Sequence, residues 1–195
     1  GPPPERTPPN STAPADVKVS KDLTRVPLFN DPATQWATRQ YTAGPANTFE
    51  PWSQQPDVVD VSLSSGVETA TIEVDSTGRM WIASDAKTTI EVRYSDGNYS
   101  NWSAPITIAS GINKDDISAI VAMPNNEIGV FWSDQSTDRF GFRLHVDGDS
   151  PTAWSANEVP ASQSALKVGG GMADDHMHLA VSSDGTLYAA VKTSY

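Results

Sequence analysis

The chain has 195 residues, contains no cysteine and carries a formal net charge of −11 at pH 7. The absence of cysteine excludes disulfides, cysteine nucleophiles and thiolate metal sites, and a surface this acidic repels the phosphates of nucleic acids. Because no apolar run approaches the ~18 residues of a membrane-spanning helix, the sequence predicts no membrane span.

Residues 1–16 hold six prolines together with Ser, Thr and Asn, and they show no apolar periodicity. This composition is typical of a flexible linker or tail. A linker at this point implies a further domain or an anchor before it in the parent protein. The next segment, residues 17–63, contains short apolar runs between turns, such as residues 58–61. These runs predict only part of a unit of β-strands.

Residues 64–113 predict a complete unit of four short antiparallel strands. The strands are expected at residues 69–74, 79–83, 89–94 and 105–108, because each is a β-branched or aromatic run bounded by turn residues. The turns contain Gly78 and Gly97, which supply the backbone freedom that tight turns need. No stretch keeps a helical apolar stripe without interruption.

Residues 114–173 repeat this pattern. Strands are expected at residues 117–122, 128–132 and 139–145, and Trp154 opens a fourth. Residues 174–195 then predict the first two strands of a further unit, where the pattern stops.

Three Trp-Ser pairs recur about 50 residues apart, at Trp52, Trp102 and Trp154. A fixed period of this length with four strands per unit indicates an all-β chain built from β-propeller blades. We expect each tryptophan to pack between neighbouring blades, and stacking on a sugar ring is the alternative.

The units add up to an incomplete ring of about three to four blades, whereas closed propellers contain about four to eight. Open sheet edges promote association with other chains. We therefore expect a second chain or a second copy to complete the propeller, or the chain to be a piece of a longer, split propeller.

The segment from Ser95, Asp96 and Gly97 to Trp102 resembles the Asp-box hairpin of sialidase-like propellers. Residues 174–188 resemble the inner hairpin of secreted bacterial propellers of the same group. The Asp-box shapes the hairpin in that family and does not catalyse a reaction, so the resemblance implies the fold first.

The same resemblance implies an exported protein, extracellular or at the cell surface, that binds or processes a polysaccharide or other glycan at its axial funnel. If the protein is an enzyme, it would be a glycoside hydrolase or a polysaccharide lyase. The alternative is a non-catalytic propeller that serves as a scaffold for protein–protein or surface interactions.

Candidate chemistry lies in the loops that precede the inner strands, because propeller ligands bind at that axial end. The predicted catalytic residues there are Asp115, Asp116, Asp174, Asp175 and His176. Two carboxyls about 5–9.5 Å apart could carry out glycoside hydrolysis. The same four aspartates could instead bind Ca²⁺ through oxygen ligands, or could cap turns by accepting backbone N–H groups.

Three further residues are predicted to bind a ligand. Arg139 and Arg143 are four apart on one strand and share a face, so together they could clamp a carboxylated sugar. His178 shares a face with His176 and could contact a metal or an acidic sugar. The alternatives are outward-facing cations and a structural pair of histidines.

Overall fold

The computed structural model describes residues 59–160 and 173–192, and before them the backbone of the strands within residues 18–51. Every regular element in these residues is a β-strand, so the predicted all-β class is confirmed. Among the described residues no helix has the length and apolar character needed to cross a membrane. The predicted linker, residues 1–16, lies outside the described residues.

The first sheet has five antiparallel strands in the order β1-β2-β3-β4, and β5 also pairs with β3. Its strands are β1 (Lys18–Val19), β2 (Leu23–Asn30), β3 (Ala33–Thr42), β4 (Thr48–Pro51) and β5 (Val59–Ser62). The sequence predicted only a partial unit here and missed β2. Pro27 lies within that strand, and proline argues against a ladder because it has no N–H to donate.

The second sheet has four strands that pair in chain order, as the sequence predicted. They are β6 (Ala70–Val74), β7 (Met80–Ala86), β8 (Thr89–Ser95) and β9 (Ile106–Ser110). Gly78 and Gly97, in the turns after β6 and β8, have φ angles of +90° and +67°. Glycine adopts this left-handed backbone without the steric cost that a Cβ would bring.

The third sheet has three strands, β10 (Ser118–Met123), β11 (Glu127–Asp134) and β12 (Arg139–Val146). The described residues after Trp154, up to residue 160, hold no fourth strand, although this segment runs beside β12. The backbone N–H of Phe142 donates to the side-chain oxygen of Asn157 at 3.1 Å, where a ladder would need a backbone carbonyl. The fourth sheet is the predicted hairpin of β13 (Met177–Val181) and β14 (Leu187–Val191).

The serine of each described Trp-Ser pair makes the same two hydrogen bonds to the third strand of its unit. Ser103 donates its N–H to the carbonyl of Tyr94 at 2.9 Å, and its Oγ accepts the N–H of Tyr94 at 3.1 Å. Ser155 repeats both bonds with Leu144, at 2.8 and 2.9 Å. The pair therefore attaches the segment after the turn to the edge of β8 or β12.

Apolar side chains from successive sheets form three buried clusters. The first holds Val61, Leu63, Val67, Ile72, Met80, Ile82 and Ala86. The second joins Trp81, Ile90 and Val92 to Ile120, Ile128, Val130 and Trp132, and the third joins Phe131, Phe140 and Phe142 to the β13–β14 hairpin. Trp102 packs against the first cluster and Trp154 against the second, as expected of wedges between sheets. Trp52 lies outside the described residues.

The first strands of the second and third sheets, β6 and β10, lie side by side. The N–H of Ile120 donates to the Thr71 hydroxyl at 2.9 Å, and the N–H of Ala122 donates to the Glu73 carboxylate at 3.2 Å. Both contacts join residues 49 positions apart, so the two strands run parallel in the same register. β10 in turn contacts β13, and Pro124 after β10 lies 3.6 Å from the position of a Cβ on Gly185 after β13. The starts of the three strands therefore lie at one end of the sheets.

Candidate functional site

Carboxylates from three successive units gather at the end where β6, β10 and β13 begin. Burial raises the pKa of Glu68 above its ordinary value, and the negative charges of Asp85, Asp115 and Asp175 raise it further. These charges act on Glu68 because the loops before the three strands are close in space. We call Glu68, Asp85, Asp115 and Asp175 the acidic rim.

Asp116 is fully buried and caps the turn before β10. Its Oδ2 accepts the N–H of Asn113 at 2.7 Å, and the N–H of Gln135 donates to Oδ1 and Oδ2 at 3.0 and 3.1 Å. Burial raises the pKa of Asp116, while these donors oppose the rise. This is the capping arrangement that the sequence left open beside catalysis and cation binding, and its neighbour Asp115 is exposed.

Asp85 caps the start of β6 in a similar manner. Its carboxylate accepts the N–H groups of Glu68 and Thr69, each at 2.8 Å. At the equivalent place in the next unit, the Ser133 hydroxyl accepts the N–H of Ile117 at 3.1 Å. The two residues occupy the same position in their units. In each unit the second strand pairs with the first up to the residue just before, which is Ser84 for Asp85 and Trp132 for Ser133. Sequence reasoning missed Asp85 because nothing local marks a carboxylate inside an apolar strand as a cap for a loop 16 residues earlier.

Asp174, Asp175 and His176 form a compact group before β13. One ligand atom from each lies within 4.8 Å of the others, which is close enough to surround a cation. Asp174 also accepts the N–H of Asp175 at 2.7 Å, and a ring nitrogen of His176 bonds to Asp175. Of the four aspartates predicted to bind Ca²⁺, Asp174 and Asp175 lie together in this group. The other two lie before β10, where Asp116 is buried and Asp115 is exposed.

Lys192 already supplies a positive charge to this group. Its ammonium lies 3.5 Å from an oxygen of Asp174 and 3.5 Å from an oxygen of Asp175, and these two charges raise the pKa of the lysine. A calcium ion favours six to eight oxygen ligands and would compete with this ammonium. Calcium binding therefore stays a prediction. Lys192 follows the last paired residue of β14, which is the position of Asp85 and Ser133 in their units.

The predicted ligand-binding residues are dispersed. His178 is exposed on β13, opposite Ala190. Arg143 lines a cleft between the second and third sheets, but Arg139 is not among the described residues that line it. The structure therefore does not bring the two arginines to one described cleft, although they share a strand.

In comparisons with known proteins, no family model matches the chain and no curated protein is detectably similar to it.

Proposed function

We propose that the chain is a section of a β-propeller of the sialidase-like, exported kind, and that it works as a binding module without catalysing a reaction. The repeated Trp-Ser contacts, the tryptophan wedges and the parallel first strands support the propeller part of the proposal. They are what stacked blades require, because each sheet buries a face against the next.

The state of the rim carboxylates is the observation that carries the non-catalytic part. Asp116 is fully buried and bonded to backbone N–H groups, and Asp174 is buried and bonded to the backbone of Asp175. Asp175 is paired with His176 and Lys192. Glycoside hydrolysis needs a free general acid and a second free carboxyl about 5–9.5 Å from it. Among the four aspartates predicted to be catalytic, only Asp115 is exposed without an ion pair in the described chain.

An assay for bond cleavage tests this proposal. The wild type is incubated with neutral and uronic-acid polysaccharides, and new reducing ends and unsaturated products are measured. We expect no turnover above buffer, and we expect Asp116→Asn to lower the unfolding midpoint because a capping residue is changed. Turnover that Asp115→Asn or Asp175→Asn abolishes at an unchanged unfolding midpoint would contradict the proposal.

The proposal includes completion of the ring by a second chain or a second copy. The fourth sheet has two strands where the preceding sheets have three and four, and Tyr188 on β14 is 59% exposed. Sedimentation of the purified chain over a range of concentrations checks this part. A chain that stays monomeric and does not aggregate at high concentration would argue against completion by a second copy.

A further inference from the structure

A cleft of about 390 Å³ lies between the last strand of the second sheet and the third sheet. Ile108, Ile112 and Trp132 form its apolar wall, and all three are buried. Asp134 and Arg143 supply its charged groups. The volume falls within the range of about 300–1,000 Å³ that small-molecule sites occupy. The accessible lining is mostly polar, so a ligand here would be held chiefly by hydrogen bonds and charge.

Two polar atoms of this cleft lack partners. The Oδ1 of Asp134 and the Nε of Arg143 are both buried, and neither has a hydrogen-bond partner in the part of the chain that the structure describes. The other oxygen of Asp134 accepts the hydroxyl of Thr137 at 2.8 Å. A buried polar atom without a partner destabilises the fold. Both side chains also line the cleft, so a ligand would meet the carboxylate and the guanidinium through their accessible atoms.

Trp132 explains why the carboxylate and the guanidinium do not pair with each other. Trp132 on β11 lies opposite Gly141 on β12. On one side of this pair Asp134 faces Arg139, and on the other side Val130 faces Arg143. A Cβ on Gly141 would meet the indole at 1.9 Å, so the ring covers the bare backbone there. The indole therefore separates the acidic group from the basic group.

A ligand that satisfies both groups must carry an anionic acceptor at one end and a donor at the other. On the protein side, Asn157 adds a donor to the cleft. Its side-chain oxygen already accepts the N–H groups of Phe142 and Val159, so its amide NH₂ is the group that can donate to a ligand. Thr107 and Ser110 add hydroxyls at the opposite wall. Hydroxyls and amides of this kind bind sugar-like hydroxyl groups, and a guanidinium binds a carboxylate.

We propose that this cleft binds a small hydroxylated carboxylic acid, with the ligand carboxylate on Arg143 and a ligand hydroxyl on Asp134. The inference rests on the proposed binding role and gives it a location and a ligand class. The site lies between two sheets, apart from the acidic rim. Of the two arginines expected to clamp a carboxylated sugar, it uses Arg143 alone.

The test is a calorimetric titration of the full chain with glucuronate as the probe, and the indole resonances of Trp132 are followed by NMR. We expect saturable binding that shifts the Trp132 signals. Arg143→Lys should weaken binding at least about tenfold, because a lysine keeps the charge but loses Nε and the planar fork. Asp134→Asn provides a second variant if Arg143→Lys lowers the unfolding midpoint.

Arg79→Lys is the matched control, since it makes the same change at an arginine that pairs with Asp96 and lies outside the described cleft lining. It should bind as the wild type does, and glucose, which lacks the carboxylate, should bind at least about tenfold more weakly. Failure of the wild type to bind glucuronate overturns the inference. Binding that neither Arg143→Lys nor Asp134→Asn weakens also overturns it and places the ligand elsewhere, while the non-catalytic role is judged separately by the cleavage assay.

Discussion

Burial and hydrogen bonding act in opposite directions on individual aspartates of this protein. Asp85 and Asp116 are buried caps, and burial raises the pKa of each above the ordinary value of 3.8 despite several donors. Asp184 lies in the exposed turn after β13, where the Ser182 hydroxyl and the N–H of Thr186 lower its pKa to about 2. The same residue type therefore has opposite effects on how stability depends on pH.

We expect Asp85→Asn to change the pH dependence of stability as well as its magnitude. The folded protein binds a proton at Asp85 more tightly than the unfolded chain does, so this group contributes more stability as the pH falls through its raised pKa towards 3.8. The free energy of unfolding of wild type minus that of Asp85→Asn should therefore decrease as the pH rises through this window. Urea unfolding at a series of pH values measures the difference.

Asp184→Asn is the comparison of opposite sign. Its folded pKa is depressed, so its contribution is present above 3.8 and is lost as the pH falls from 3.8 towards about 2. The difference between wild type and Asp184→Asn should therefore increase with pH over that lower range. If the two variants showed the same sign, the assignment of Asp85 as a buried cap would be wrong.

At the scale of strands, two close contacts between aromatic rings and glycines shape the third sheet. Gly141 lies under Trp132, and Gly129 lies under the ring of Phe142, where a Cβ would meet ring atoms at 2.7 Å. Trp132 is only 2% exposed, so a displaced ring would lose packing in the core. The sequence pattern marked β11 and β12 as strands but did not show that these glycines make room for rings.

We expect Gly141→Ala to destabilise the protein by roughly 1–3 kcal/mol, which is the usual cost of inserting an extra methyl group into a packed core. The added Cβ would lie 1.9 Å from Trp132 and must displace the indole. Gly129→Ala should cost less, since its closest contact is longer. Urea unfolding followed by tryptophan fluorescence measures both, and a Gly141→Ala variant as stable as the wild type would mean that Trp132 does not lie over the strand.

The strands that sequence reasoning found and missed differ in a physical way. The β6–β9 unit was found because its turns and its alternation are local. The missed β2 contains Pro27. In the described segment after Trp154, Asn157 accepts a backbone N–H of β12 with its side chain, where a strand would use a backbone carbonyl. Sequence reasoning also missed the capping role of Asp85 and the ion pairs of Lys192. Each side chain acts on a loop distant in sequence, which becomes its neighbour only through strand pairing.

For the molecule as a whole, stability depends on contacts between successive sheets. Each hydrophobic cluster joins neighbouring sheets, and β6 runs parallel to β10 in matching register. This arrangement also brings the negative charges of three units to one end, which adds repulsion to a chain of net charge −11.

We expect Asp115→Asn to lower the pKa of Glu68 towards its ordinary value, because the variant removes one of the charges that raise it. NMR titration of the Glu68 carboxyl measures the change. Asp149→Asn is the control, since Asp149 is exposed in the turn after β12 and is not one of the charges that act on Glu68. An unchanged Glu68 titration in Asp115→Asn would mean that the loops of the second and third sheets do not meet.

One position in the repeat holds a carboxylate, a hydroxyl and an ammonium in turn, as Asp85, Ser133 and Lys192. Ser133 and Lys192 keep the same backbone bond to the residue before the first strand, at 3.1 and 3.0 Å, although their side chains differ completely. The backbone at this position therefore does not depend on the chemistry of its side chain. Substitution there changes the charge at one end of the molecule while the sheets keep their alignment, as variable residues do on a constant framework.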